Sequence, residues 1–237
     1  MLKLDEISNL VKFDKEAHSY HVNGKKLISV TSLLGNYKEE FDPSGIIARS
    51  CAKRDGVSVE EIKSKWDKKK NDAANRGTKF HSCVENYIKT GKIDDNEYSD
   101  IINEFSLIDF KGKLNAEVKL FNIEYGVAGT SDIIELYPDN SFICYDAKTN
   151  EKFSTKPKYG GKMLYPVNHL GDSHLEVYSL QLWCYSIMLE KFGYSIRETP
   201  KILWVNHNSR KIETIECLNI KEDAFKFLEH YKSVNLF

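Results

Sequence analysis

Two short runs decide the fold: Gly129-Thr130-Ser131-Asp132-Ile133-Ile134-Glu135-Leu136, and Phe142-Ile143-Cys144-Tyr145-Asp146-Ala147-Lys148. They are joined through Pro138-Asp139-Asn140-Ser141. Both runs are apolar and rich in β-branched residues, and the polar cluster between them carries turn residues, so the stretch reads as a β-hairpin. Folding the chain about that turn places Asp132 beside residues 146–148. Side chains alternate along a strand, so Asp146 and Lys148 share a face. Two carboxylates and one ammonium then meet at one end of the hairpin. Carboxylate oxygens suit a hard divalent cation such as Mg²⁺, and a lysine beside them can orient or activate a water. That set of groups is the equipment of metal-assisted phosphodiester hydrolysis. A plain surface ion pair has the same composition. The Asp-x-Lys pattern also recurs at Asp67-Lys68-Lys69 and Asp109-Phe110-Lys111, with Glu117-Val118-Lys119 as a relative. Asp67 sits in a charged helical stretch and Asp109 at a helix end. Asp146 is the copy that ends an apolar strand opposite a second strand-borne aspartate.

Two further stretches frame the hairpin: Arg76-Gly77-Thr78-Lys79-Phe80-His81-Ser82-Cys83-Val84-Glu85 upstream, and Tyr178-Ser179-Leu180-Gln181-Leu182-Trp183-Cys184-Tyr185 downstream. With them, the chain resembles the PD-(D/E)XK nuclease superfamily in its RecB-like branch, which includes phage exonucleases and the mitochondrial genome maintenance exonuclease. The family pattern runs Gly-Thr-x-x-His on a helix, Gly-x-x-Asp on a strand, Asp-x-Lys on the next strand and Gln-x-x-x-Tyr on a helix. All four occur here in order, from Gly77 to Tyr185, covering roughly half the chain. Each is weak alone; the ordered set is specific.

The resemblance implies an α/β fold with a restriction-endonuclease-like core, a central mixed sheet flanked by helices. It implies that His81, Asp132 and Asp146 bind Mg²⁺ or Mn²⁺, with the Ala147 carbonyl as a further ligand. Lys148 would position the attacking water and offset developing charge, while Gln181 and Tyr185, one helical turn apart, would support the lysine and the substrate phosphate. Glu85 lies one turn from His81 and reads as a ligand, as a partner of a ligand, or as a solvent-facing glutamate. Glu117 is left between a site-facing and a solvent-facing reading. The activity implied is a metal-dependent deoxyribonuclease, an exonuclease acting on free DNA ends in phage-type recombination or repair, with a recombination protein as a possible partner. An endonuclease of the same fold, and a catalytically silent nucleic-acid-binding module, are the alternatives.

Composition fits an enzyme of this kind. The 237 residues suffice for one large core, and 41% hydrophobic with 29% charged residues is ordinary for a globular chain. A net charge of -1 gives no global pull toward nucleic acid, though a local basic groove would suffice. No apolar run reaches a membrane span, and Met1-Leu2-Lys3-Leu4-Asp5-Glu6 lacks a signal-peptide pattern. Cys51, Cys83, Cys144, Cys184 and Cys217 show no Cys-x-x-Cys spacing. They read as buried thiols in a reducing cytoplasm, the host's if the chain is phage-encoded, and they argue against an iron–sulfur cluster.

Along the chain, residues 18–28 read as a hairpin with Asn23-Gly24 at its turn. A short helix follows, capped by Ser29 or Thr31. Pro43 to Asp55 reads as a helix ended by Gly56, and Ser58-x-x-Glu61 as the capping box of a polar helix to Asn75. The lysines of that helix suit either a solvated face or a basic channel wall. Helices are expected at 77–90, 95–109, 175–192 and 222–232, and strands at 114–124, 126–137, 141–148, 201–206 and 211–216. Residues 1–75 form a mostly helical extension packed on a core of residues 76–237, all within one structural domain. The connector from Glu151 to Asp172 is long enough to be functional. Its Lys152, Lys156, Lys158 and Lys162, mixed with Tyr159 and Tyr165, suit a nucleic-acid strand, as does Thr78 upstream; a plain surface loop is the other reading. Gly160-Gly161 is read as a source of flexibility.

Overall fold

A computed structural model describes residues 1–14, 17, 19–40, 42, 45–157, 160–206 and 208–235. The chain is mixed α/β: a central mixed sheet flanked by helices, with a largely helical N-terminal region. In order, the elements are α1 (Leu4–Asn9), β1 (Lys12–Asp14), β2 (Ser19–Val22), β3 (Lys25–Ser29), α2 (Val30–Asn36), α3 (Ile46–Asp55), α4 (Val59–Thr90) and α5 (Ser99–Ser106). Next come β4 (Lys113–Asn122), β5 (Val127–Leu136), β6 (Ser141–Lys148), α6 (His174–Glu190), β7 (Ser195–Ile196), β8 (Lys201–Asn206), β9 (Lys211–Glu216) and α7 (Lys221–Val234).

The two defining runs pair as a hairpin, β5 antiparallel to β6, through Ile133↔Tyr145 to Leu136↔Phe142. The sheet runs β1-β2-β3-β5-β6-β8-β9, with β4 on the other edge of β5 and β7 on β6. Hence the N-terminal hairpin is part of the main sheet: β3 lies parallel to β5 at Ile28↔Val127 and Ser29↔Ala128. Asn23 and Gly24 both have positive φ, 50° and 79°, as a type I′ turn requires. On the edge of β5 shared by β3 and β6, the described residues make no ladder pair from Gly129 to Asp132. The sheet opens there.

Two apolar cores sandwich the sheet. One, built on α2, α6 and α7, takes in Val118, Leu120, Ile134, Cys144 and Leu182. The other, under α4 and α5, takes in Phe80, Val84, Ile133, Tyr145 and Ala147. The sequence predicted separate helices ending near Asn75 and starting at Gly77. The structure has one helix of 32 residues, opened by the Ser58–Glu61 capping box and closed by Gly91 at φ 70°. Gly77 is absorbed because one interior glycine costs only about 1 kcal/mol, while Phe80 and Val84 anchor the following turns in the core. The helix expected from residue 95 is shorter, Ser99–Ser106, and that expected from Pro43 begins at Ile46. Pro43 itself and residue 18 of the first hairpin lie outside the described residues.

The 151–172 connector has no helix or strand of its own among its described residues, yet Met163, Val167 and Leu170 are buried in the core. Gly161 is a close-approach position, since a Cβ there would lie 2.4 Å from the Asp172 carboxylate. Flexibility at Gly160-Gly161 was the sequence expectation; tight packing is what Gly161 provides. Gly129 is similar: a Cβ would meet the Tyr185 ring at 2.6 Å. Gly129→Ala is therefore expected to lower the free energy of unfolding by about 1–3 kcal/mol, the range for overpacking. Denaturant titration would show this, and an unchanged midpoint would mean that α6 does not press on β5 as described.

Candidate active site

The register between β4 and β5 is continuous on both sides of one gap. Ala116 pairs with Ile133 and Val118 with Ser131, but the rung between Glu117 and Asp132 is missing. Glu117 has φ 53°, a left-handed conformation that costs a non-glycine residue about 1–3 kcal/mol. The side-chain phase flips at this point. Leu114 packs in the α4–α5 core, whereas Val118 and Leu120, of the same parity, pack in the α6–α7 core. Strict alternation would put all three on one face. The flip leaves Glu117 and Asp132 side by side, below His81 of α4.

Asp132 is the hub. Its Oδ2 accepts the Ala147 N–H at 2.8 Å, taking a donor from β6 where that strand diverges from β5. Its Oδ1 lies 3.4 Å from His81 Nδ1, and Glu117 Oε1 lies 3.6 Å from the same nitrogen. His81 Nε2 is 3.0 Å from the Ala147 carbonyl. Both ring nitrogens therefore face acceptors, which suits the doubly protonated imidazolium. The Asp132 carboxylate raises the His81 pKa from 6.5 to about 11 against the opposing effect of burial. Burial alone would raise the Asp132 pKa, but His81 and Lys148 overcome it and hold the carboxyl at about 2. Ligand atoms of His81, Glu117 and Asp132 lie within 4.8 Å of one another, close enough to share one cation.

Asp146 and Lys148 complete the cluster from β6. Asp146 is 1% exposed; burial, with Asp132 nearby, lifts its carboxyl to about 7 despite Lys148. Lys148 Nζ lies 2.5 Å from Asp146 Oδ2, yet this oxygen has no aligned hydrogen bond; the contact is electrostatic. Burial works against the Lys148 charge, but Asp146 and Asp132 outweigh it and push the pKa above its ordinary value. Lys148 is thus a cation at neutral pH.

Gln181 donates through Nε2 to Asp146 Oδ1 at 3.2 Å and to the buried Tyr185 hydroxyl at 3.4 Å. The α6 residue that touches Lys148 is Tyr178, whose ring centroid lies 4.6 Å from the ammonium. His174 stacks on Tyr178 at 5.5 Å and 4°, and its Nδ1 accepts the Ser154 N–H at 3.1 Å, pinning the chain just beyond Lys148. Sequence reading missed Tyr178, although it stands one turn before Gln181 on the same helical face.

Glu85 is on the same helix as His81 and is held by Lys89 at 2.5 Å; it is not one of the triad that can share a cation. Thr78 Oγ1 donates to Ala74 O within α4. Lys152, Lys156 and Lys162 are exposed on the connector, while Lys158 and Tyr159 lie outside the described residues. All five cysteines are free thiols, with Cys144, Cys184 and Cys217 buried. None of the described helices is long and apolar enough to cross a membrane.

No protein-family model and no curated protein matches the chain. Among solved structures, the crystal structure of SSO0001 aligns with 91% of this chain and 79% of its own, at 15% identity and a TM-score of 0.41. A likeness that loose supports no functional argument, so function is argued from the site.

The proton on His81 is a direct test of the geometry. Because the folded pKa is raised, His81 stabilises the fold fully below pH 6.5, and that contribution is lost as pH rises through about 11. In an NMR titration of metal-free protein, His81 is expected to stay protonated beyond pH 9, about two units above neutrality, and to titrate near its ordinary value in Asp132→Asn. A His81 that deprotonates near neutrality in the parent would show that Asp132 does not hold it.

Proposed function

We propose that this chain is a metal-dependent nuclease with a restriction-endonuclease-like core, hydrolysing phosphodiester bonds in DNA and acting as an exonuclease at free ends. One observation carries the reading: Glu117, Asp132 and His81 converge at the missing rung, beside a buried Asp146–Lys148 pair. A structural ion pair needs two groups. Here three carboxylates and two cationic side chains are gathered in the opening of a sheet, where irregular backbone and buried charge both oppose folding.

The donor set fits a hard divalent cation. Glu117, Asp132 and Asp146 offer carboxylate oxygens, Ala147 a carbonyl oxygen and His81 one imidazole nitrogen, a combination suited to Mg²⁺ or Mn²⁺. Such an ion would neutralise phosphate charge and lower the pKa of a bound water. The protein's own groups do the rest. Lys148 holds its proton at neutral pH, so its role is to stabilise negative charge at the phosphate rather than to act as a base. Tyr178 fixes the ammonium, and Gln181 orients Asp146. His81 carries a proton that it must release to ligate a metal, so metal uptake and proton release are coupled.

End-labelled DNA should be degraded in Mg²⁺ or Mn²⁺ and left intact in EDTA. Asp146→Asn and Lys148→Ala should each slow degradation by at least about 10²–10³-fold, the scale of one lost charge-stabilising group. Closed circular DNA should persist; opening of the circle would establish an endonuclease instead. Equal activity in parent and both variants would refute the assignment of the site.

A further inference from the structure

Two contacts hold the Lys148 ammonium among the described residues. One is Asp146, whose Oδ2 lies 2.5 Å from Nζ; the other is the Tyr178 ring, whose centroid lies 4.6 Å away. The resemblance gives support of the lysine to Gln181 and Tyr185. Neither hydrogen-bonds to it: Gln181 donates to Asp146 Oδ1 and to the Tyr185 hydroxyl. On the nuclease reading Asp146 also shares its oxygens with a cation. The ring face is then the contact on Lys148 that no metal ligand supplies.

The Tyr178 hydroxyl has no hydrogen-bond partner among the described residues, so the site engages this side chain by its ring. Four half-buried rings meet there. His174 stacks on Tyr178 with planes 4° apart. Phe153 lies 6.3 Å from Tyr178, 5.9 Å from His174 and 5.8 Å from Trp204. Trp204 stands beside Lys148 in the β6–β8 register, and its Nε1 donates to Asn150 O at 2.8 Å. Phe153 belongs to the connector, and Ser154 ties that stretch to the start of α6. Its N–H donates to His174 Nδ1 at 3.1 Å, its Oγ accepts the His174 N–H at 3.0 Å, and its carbonyl accepts the Leu175 N–H at 3.0 Å. The beginning of the connector is thus packed against the ring that faces the ammonium.

A lysine is a point charge on a flexible stem, and a carboxylate alone fixes its place poorly. An aromatic face adds an attraction that depends on where the cation sits. Placement matters because a misplacement of about 1 Å can cost about 10²-fold in rate.

We propose that Tyr178 is a positioning residue for Lys148 and that Phe153 acts through it, the Trp204, Phe153 and Tyr178 rings forming a wall that keeps the ammonium in one place beside Asp146. The effect on rate rests on the nuclease reading; the wall itself rests on the contacts alone.

Two readouts keep these apart. In NMR of metal-free protein carrying isotope-labelled lysine, the ring current of Tyr178 should move the Lys148 side-chain resonances upfield of those of the other lysines, with the assignment made by their loss in Lys148→Ala. The shift should persist in Tyr178→Phe, vanish in Tyr178→Leu and shrink in Phe153→Leu. In cleavage of end-labelled DNA with Mg²⁺, Tyr178→Leu should lower kcat by about 10–30-fold with KM unchanged, the scale of one partly desolvated cation–π contact. Tyr178→Phe should recover most of the loss, and Phe153→Leu should fall between. Mn²⁺ affinity should stay at the parent's value in all three variants, which reports that the site remains folded.

The proposal is overturned if Lys148 shows no ring-current shift in the parent, if Tyr178→Leu keeps the shift or the parent's kcat, or if Tyr178→Phe loses as much as Tyr178→Leu. It is also overturned if Phe153→Leu matches the parent in both readouts, or if Tyr178→Leu loses Mn²⁺ affinity, since the ring would then support the whole site rather than Lys148. The expected shifts without cleavage by the parent would remove the nuclease and leave the wall, whereas cleavage without a shift in the parent would remove the wall and leave the nuclease.

Discussion

The site depends on one irregularity, the absent rung between Glu117 and Asp132 in an otherwise unbroken β4–β5 ladder. A regular ladder in phase with Leu114 and Ile133, which pack under α4 and α5, would turn both carboxylates to the opposite face, away from His81. Glu117 at positive φ resets the phase. The distortion is held because the ladder resumes on both sides, and both cores stay filled: Ile133 is buried under α4 while Ile134 is buried under α6. About 1–3 kcal/mol of backbone strain is small beside the burial of such side chains, each contributing about 1.5–3 kcal/mol.

Electrostatics follows from that geometry. Negative charge gathered in the opening raises the pKa of both His81 and Lys148, and burial leaves Asp146 the carboxyl whose charge is hardest to maintain. The two ring nitrogens of His81 reach a carbonyl and two carboxylates, so in the metal-free protein the imidazolium supplies the positive charge those oxygens lack. On the proposed reading a divalent cation held by these oxygens would supply that charge instead, and Lys148 would keep its own.

Much of this was legible in the chain. The β5–β6 hairpin follows from apolar runs around Pro138–Ser141, and β8 and β9 fall at the expected residues because their turn and alternation are regular. The i, i+2 spacing of Asp146 and Lys148 and the i, i+4 spacing of Gln181 and Tyr185 translate directly into shared faces. What was not legible came from tertiary packing. Glu117 had no local signal, because its phase is reset by a backbone conformation that sequence periodicity does not encode. The continuity of α4 through Gly77 was hidden because glycine is locally a breaker, whereas Phe80 and Val84 packing decides. Tyr178 was visible in the motif, but its pairing with Lys148 required knowing how α6 lies across β6.

Anomalous diffraction from crystals soaked in Mn²⁺ bears most directly on the role of the missing rung. The account predicts a peak about 2.0–2.3 Å from oxygens of both Glu117 and Asp132, with His81 turned to present a deprotonated nitrogen. An ion bound elsewhere, or none bound while His81 remains between the two carboxylates, would contradict it.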